Sequence, residues 1–196
     1  WLANHKEFHL GGNHLLENLI TILIGTTQFK GEISEKLFNE NLKILQKELT
    51  EQILNDGGHY ERSAGYHIQI LDRLVLLGFY IQKFKNLRPE FLILAISKMY
   101  IWACKVRLQN NNIPNFNDSN KEINYQIGDI LDFSLAFLKS YKTNNKDFRS
   151  LITKEFYKKF QENKLPITIE SYLNNRELIH LPETGWTIIR IKKNWE

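Results

Sequence analysis

Apolar residues recur every three to four positions along most of the chain, which is the spacing of one face of an α-helix. In the first such stretch Leu15, Leu16 and Leu19 share one broad face, and Asn13 precedes it as a predicted N-cap. Two glycines follow Asp56 and predict the end of the second helix, because paired glycines turn the chain. The pattern predicts six helices, at residues 14–26, 34–54, 66–84, 89–108, 125–139 and 146–161.

The helical spacing stops after Pro166, and signals of β-structure follow near the end of the chain. Residues 185–191 are rich in β-branched side chains and predict a strand, with a turn before it at residues 182–185. This order predicts a helical domain at residues 1–165, then a linker and the first strand or strands of a β domain at residues 166–196.

Six helices joined by short loops predict antiparallel hairpins. The chain has none of the sequence repeats that mark the common helical repeat proteins. An irregular ring of helical hairpins, known as an α/α toroid, fits the pattern, although the pattern alone does not require it.

The composition is that of a packed domain. With 196 residues and 42% hydrophobic content, the chain can fill one core, or one core and a piece of another. No apolar run reaches the roughly 18 residues that predict a membrane span. Cys104 is the single cysteine, which excludes a disulfide framework, and its apolar surroundings predict a structural thiol.

The net charge of +4 favours anionic partners only mildly. An acidic polysaccharide fits this sign, whereas nucleic acid is not predicted, because the chain has neither an arginine cluster nor a known reader motif. The chain begins with Trp1 and shows no signal peptide, so we expect it to be a segment of a longer protein.

Polar and titratable residues concentrate in two clusters, each where a loop leads into a predicted helix. The first, residues 11–18, reads Gly-Gly-Asn-His-Leu-Leu-Glu-Asn. The second, residues 56–67, reads Asp-Gly-Gly-His-Tyr-Glu-Arg-Ser-Ala-Gly-Tyr-His. Loops that carry such groups on a rigid helical scaffold are frequent sites of function.

Each of these residues also has a purely structural explanation. Asn13 could be only a helix cap, and Arg62 could pair with Glu61 or Asp56. The histidines and Tyr66 could be ordinary core or surface residues. Packing alone nevertheless does not readily explain the composition of the two clusters. Together they contain three histidines, an arginine, an amide and a phenol, with few apolar residues among them.

His5 and His9 have the i, i+4 spacing with which one face of a helix can hold a metal ion. The acid between them, Glu7, does not follow His5 directly as the zinc-protease motif requires, so metal catalysis is not predicted. His180 lies near the strand signals and is interpreted as a structural or surface residue.

The two clusters resemble motifs of the heparinase II/III and alginate lyase group of polysaccharide lyases. Residues 12–18 are similar to its Asn-His-Leu-x-Glu-Asn signature, and residues 56–67 to its Asp-Gly-Gly-x-x-Glu-Arg-Ser-x-x-Tyr-His motif. Residues 114–119 resemble a Phe-Asn-Asp-Ser segment of some members, and residues 181–186 resemble the start of the family's β-sandwich. The resemblance spans nearly the whole chain.

This resemblance implies a mainly α fold, an incomplete α/α toroid of antiparallel helical hairpins, followed by the start of a β-sandwich. It implies cleavage of a uronic-acid-containing polysaccharide by β-elimination, without a metal or other cofactor. It also implies a periplasmic or extracellular location for the parent protein.

The resemblance also implies roles for individual residues. Proton transfer falls to Tyr66, as base, acid or both, with His14 as its partner. Because the elimination builds negative charge beside a carboxylate, a site must neutralise or hydrogen-bond that group. The Asn13 amide is the candidate for this, with His14 or Arg62 assisting. The full set of predicted substrate-binding residues is Asn13, His59, Glu61, Arg62 and His67.

Two other functions fit the same residues, and a further alternative is that this segment alone is inactive although its parent protein is a lyase. A carbohydrate-binding or scaffold protein of this fold would bind polysaccharide without cleaving it, and would not need the Tyr66 phenol. A helical interaction module would leave Asn13, His14, Arg62 and Tyr66 scattered, whereas a lyase needs them around one cleft.

Overall fold

The computed structural model describes residues 1–108, 112–119, 127–143 and 176–191, and there the chain is mainly helical. A short 3-10 helix at Leu2–Asn4 precedes five α-helices and an antiparallel pair of strands. The helices are α1 (Gly12–Gln28), α2 (Glu32–Gln52), α3 (Ala64–Tyr80), α4 (Glu90–Val106) and α5 (Ile127–Thr143), and the strands are β1 (Arg176–Leu181) and β2 (Trp186–Ile191). The prediction of a mainly α fold with a small β element after the helices is confirmed.

All five described helices start one or two residues away from the predicted positions, and three of these differences concern the caps. Helix α1 begins at Gly12, so Gly11 takes the N-cap position, and the prediction that Asn13 caps this helix is wrong. Helix α3 begins two residues earlier than predicted, because the Ser63 hydroxyl caps it and accepts the N–H of Tyr66 at 3.3 Å. Pro89 is the N-cap of α4 and not a residue of its first turn.

The predicted third helix, at residues 66–84, is in fact two elements. Helix α3 ends at Tyr80 and continues as a π-helical turn at Ile81–Lys85. Hydrophobic spacing alone does not distinguish such a turn from α-helix. The helix predicted at residues 146–161 lies outside the described residues.

One apolar core joins the five helices. Leu16, Leu19 and Leu23 form part of the buried side of α1, at the spacing that predicted the helix. Helix α3 is central, because it packs against α1, α4 and α5. Replacing one such leucine by alanine should cost about 2–5 kcal/mol of stability. In the described part of the chain no helix is both long and apolar enough to cross a membrane.

The β-hairpin packs on the C-terminal end of α4. Leu181 is buried against Trp102 of α4, and the ring centroids of Trp102 and Trp186 lie 5.2 Å apart. Arg190 Nη2 donates to the carbonyl oxygen of Lys105 at 2.6 Å, in the last turn of α4. A cation at this place satisfies a free carbonyl and opposes the negative end of the helix dipole. The hairpin is thus attached to the helical part of the molecule.

Candidate functional site

The two motif clusters meet at the N-terminus of α1. The Tyr60 hydroxyl accepts the N–H of Gly12 at 2.9 Å, and Glu61 Oε1 accepts the N–H of Asn13 at 3.0 Å. These bonds satisfy two of the amide groups that a helix start leaves free, and the carboxylate also opposes the helix dipole. Gly12 has a φ of 51°, and a Cβ there would collide with the Glu61 carboxylate. Residues 48 positions apart therefore form one structural unit.

Helices α1 and α3 lie side by side and run in the same direction, because the loop before α3 also holds the start of α1. Gln69 Nε2 donates to Glu17 Oε1 at 3.1 Å, and Arg73 Nε lies 3.8 Å from Glu17 Oε2. Asn13 is one helical turn before Glu17, and Tyr66 is about one turn before Gln69. Asn13 and Tyr66 therefore occupy neighbouring first turns on the facing sides of the two helices.

A segment between α4 and α5 supports the loop that carries Arg62 and Tyr66. Arg62 has a left-handed backbone, with a φ of 57°, and its carbonyl oxygen accepts the side-chain amide of Asn117 at 2.8 Å. The Ser119 hydroxyl accepts the N–H of Gly65 at 2.9 Å. These contacts fix the backbone on both sides of α3's first residue.

The turn of the β-hairpin holds the other end of this loop. Asp56 accepts the N–H and the hydroxyl of Thr184, both at 2.7 Å. Glu183 accepts the N–H and the side-chain amide of Asn55 at 2.9 and 2.8 Å. Partial burial alone would raise the pKa of Asp56, but hydrogen bonds from Thr184 and Gly58 outweigh it and hold the pKa below its usual value. The carboxylate is thus ionised and fully engaged in holding the turn.

Three predicted site residues keep their polar groups available. Among the described residues, nothing hydrogen-bonds the side-chain amide of Asn13, the hydroxyl of Tyr66 or the guanidinium of Arg62. Asn13 and Tyr66 are partly buried, and Arg62 is exposed. Arg62 does not pair with Glu61 or Asp56 in the described part of the chain, and these carboxylates accept hydrogen bonds from Asn13 and Thr184 instead.

His14 lies next to Asn13 on the exposed side of α1. Its ring is 57% exposed, and its Nδ1 lies 3.7 Å from Oε2 of Glu7. Glu7 in turn exchanges two hydrogen bonds with Asn18, both of 3.0 Å. The predicted site thus contains an imidazole with a carboxylate on one side and solvent on the other.

His59 and His67 lie in the interior, with exposures of 1% and 0%. His59 Nε2 is 3.0 Å from the Gln52 side-chain oxygen, and His67 Nε2 is 3.0 Å from the Met99 carbonyl oxygen. Burial lowers the pKa of His59 to about 3 and that of His67 to about 4, so both rings are neutral near pH 7. The structure therefore places both rings in the core and not at the molecular surface, where His14 and Arg62 are exposed.

Tyr60, Ser119 and Thr184 also shape the site, although the sequence did not single them out. Each is an ordinary polar residue whose role depends on a contact with a distant segment. All three lie in segments that carry the family resemblance, and this was the signal that could have found them.

His5 and His9 do not share a helix face. His5 follows the short 3-10 helix, and His9 lies in a turn before α1. The ring of His5 stacks on Trp1 with centroids 4.4 Å apart. In the described ranges, no group of three or more His, Cys, Asp or Glu side chains is arranged to hold a metal ion.

Comparison of the chain with known protein families agrees with this helical fold, in which polar residues lie at two adjacent helix starts. The family model described as Heparinase II/III N-terminus matches residues 2–150. The chain therefore belongs to the heparinase II/III-like family. Heparinases, after which the family is named, are polysaccharide lyases. The match includes α1 to α5 and both motif clusters. No curated protein and no solved structure matches the chain.

Proposed function

We propose that this chain is the helical part of a polysaccharide lyase that cleaves a uronic-acid-containing polysaccharide by β-elimination. The observation that carries the proposal is the site at the paired starts of α1 and α3. There Asn13, Arg62 and Tyr66 have polar groups without a partner among the described residues, beside the exposed His14. A helical interaction module would have no reason to join the two motif clusters through hydrogen bonds.

The first requirement of the reaction is to neutralise the substrate carboxylate. The proton on the adjacent carbon is a poor acid, because its removal adds charge to a group that is already anionic. The Asn13 amide donates a hydrogen bond to that carboxylate, and the Arg62 guanidinium supplies positive charge.

The second requirement is proton transfer to and from the sugar. A base takes the proton from the carbon beside the carboxylate, and the C–H electron pair forms the new double bond. The bond to the glycosidic oxygen breaks, and an acid protonates that oxygen. Tyr66 and His14 are the groups for these two steps. The scheme uses no metal or other cofactor.

His59, Glu61 and His67 support the site in this scheme and do not contact substrate. The two rings are buried, and the Glu61 carboxylate already holds the start of α1. This revises their predicted role in substrate binding. They keep the loop between α2 and α3 in the shape that presents Arg62 and Tyr66.

The remaining proposals concern architecture and location. We infer that the antiparallel hairpins are part of an incomplete α/α toroid, with the helical domain at residues 1–165 and the start of a β-sandwich at residues 166–196. Leu178 and Ile189 support the second boundary, since they are exposed and directly opposite on the outer face of the hairpin. A two-stranded sheet with such an exposed apolar face is only marginally stable by itself. Further β-structure packed on that face would stabilise it. Because acidic polysaccharides are found mainly outside the cytoplasm, we expect a periplasmic or extracellular location.

The test is the ultraviolet absorbance of the unsaturated uronate product, measured with the purified protein on a panel of acidic polysaccharides. We expect the absorbance to rise on at least one substrate. Tyr66→Phe should lower kcat about 10²-fold or more, because proton transfer by a positioned side chain contributes that much. Tyr80→Phe is the matched control, since it removes a phenol from the same helix far from the site.

The other outcomes separate the alternatives. Binding of polysaccharide without any rise in absorbance would favour a carbohydrate-binding protein of the same fold. A rise of equal size in wild type and Tyr66→Phe would show that the proton-transfer role of Tyr66 is wrong.

A further inference from the structure

Glu7 lies before the first motif cluster, and Asn18 holds it against α1. The N–H of Glu7 donates to Asn18 Oδ1, and Asn18 Nδ2 donates to Glu7 Oε2, both at 3.0 Å. The same Oε2 lies 3.7 Å from His14 Nδ1. Since Asn18 is four residues after His14, both side chains project from the same face of α1. The Glu7 carboxylate is therefore fixed in place and directed toward one nitrogen of the His14 ring.

A carboxylate beside Nδ1 decides where a neutral imidazole carries its proton. The proton stays on Nδ1, next to the negative charge, and Nε2 keeps its lone pair. A distance of 3.7 Å is longer than a hydrogen bond. Contacts of this kind are often long in an unliganded site and shorten when the substrate binds.

We propose that Glu7 is a positioning residue that holds His14 with Nδ1 protonated and Nε2 free to act on the substrate. The inference rests on the lyase function proposed above. It assigns one of the two proton-transfer steps to His14 and the other to Tyr66. Nε2 of His14 accepts the proton from the carbon beside the carboxylate, and the Tyr66 hydroxyl donates its proton to the departing oxygen. The Glu7 carboxylate stabilises the imidazolium that forms.

The tautomer of His14 can be measured without any substrate. Nitrogen NMR distinguishes protonated from bare ring nitrogens, and His14→Gln identifies which signals belong to His14. Spectra are recorded at alkaline pH, in the range where the His14 signals no longer change with pH, so that only the two neutral tautomers are compared. We expect the Nδ1–H form to predominate in the wild type. In Glu7→Ala the ring should revert to the Nε2–H form that free histidine prefers.

Two further variants make the result specific. Glu17→Ala removes a carboxylate three residues after His14 on the same helix, where it contacts Gln69 and Arg73, and should leave the tautomer unchanged. Glu7→Gln keeps the contacts with Asn18 and removes only the charge. It should therefore shift the His14 ring toward the Nε2–H form, but less than Glu7→Ala does. It replaces Glu7→Ala if the alanine variant does not fold. The same tautomer in wild type and in both Glu7 variants would overturn the proposal.

The activity assay separates this inference from the function on which it rests. In an active lyase, Glu7→Ala should lower kcat about tenfold or more, with little change in KM, because it disturbs proton transfer and not substrate binding. A kcat that is unchanged in Glu7→Ala would overturn the catalytic part of the proposal. A tautomer that depends on Glu7 in a protein that cleaves no polysaccharide would support the positioning of His14, while the lyase function itself would be wrong.

Discussion

At the scale of single residues, the N-terminus of α1 is stabilised by side chains from another part of the chain. Asn13 has the residue type of a cap, but it lies inside the first turn, and its side-chain amide has no hydrogen-bond partner among the described residues. Tyr60 and Glu61 satisfy the free amides instead. This matters for the proposed function. Because the side-chain amide of Asn13 is not used for capping, it can bind the carboxylate of a substrate.

The contribution of Glu61 can be measured directly. Glu61→Ala should destabilise the protein by about 0.5–2 kcal/mol, because it removes both a capping hydrogen bond and a favourable charge at a helix start. The free energy of unfolding is measured by urea denaturation. Glu51→Ala is the control, since this exposed carboxylate lies in the last turn of α2, where the helix dipole disfavours it. We expect the control to be neutral or slightly stabilising, and an equal loss in both variants would contradict the capping role.

At the scale of elements, the β-hairpin and the loop after α2 depend on each other. Thr184 donates twice to Asp56, and its hydroxyl also accepts the indole N–H of Trp102 at 3.1 Å. Gly58 lies so close that a Cβ there would collide with the Thr184 hydroxyl. The second of the paired glycines thus does more than end a helix, because it leaves room for the hairpin turn, while Gly57 leaves room for the Lys98 carbonyl of α4.

Thr184→Val tests this attachment. Valine has nearly the same shape but lacks the hydroxyl, so Asp56 loses one donor and Trp102 loses its acceptor. We expect a loss of about 1–3 kcal/mol, because the buried indole N–H of Trp102 is left without an acceptor, while Asp56 keeps the N–H groups of Thr184 and Gly58. Amide hydrogen exchange of β1 and β2 should rise at the same time. The control is Thr187→Val, at an exposed position of the same hairpin, which should change stability by less than about 0.5 kcal/mol. Amide exchange of β1 and β2 that is unchanged in Thr184→Val would refute the attachment.

At the scale of the whole molecule, two buried histidines make stability depend on pH. His59 and His67 stay neutral in the folded protein, with pKa values of about 3 and about 4, whereas the unfolded chain takes up protons near the ordinary value of 6.5. As the pH falls below 6.5 the unfolded state therefore binds more protons than the folded state. Stability that is present above pH 6.5 is lost as the pH falls toward the folded values.

Each ring should lower the free energy of unfolding by up to about 1.4 kcal/mol per pH unit within this window. Urea denaturation at about pH 7.5 and about pH 5 measures the change. His59→Gln and His67→Gln should each flatten the dependence, whatever their effect on stability at neutral pH. His9→Gln, which removes an exposed histidine, should leave the slope as it is. A stability that does not fall between these two pH values would contradict neutral buried rings.

The sequence by itself determined the five described helices and pointed to the two clusters of the candidate site. Helical spacing is local, since a residue's neighbours on the same face are three or four positions away, so α1 to α5 could be predicted within a few residues. The strand β2 was predicted from its β-branched residues, whereas β1, with Arg176, Glu177 and His180, has too weak a pattern to be recognised without its partner.

Only the tertiary structure decided what the individual polar residues do. The cap of α1 comes from residues 48 positions away, and the carboxylate of Asp56 is engaged by a threonine 128 positions away. Burial likewise depends on the whole fold, which is why His59 and His67 resemble exposed site residues in the sequence and are core residues in the structure. Capping, pairing and burial are properties of contacts between distant segments, and a linear pattern does not contain them.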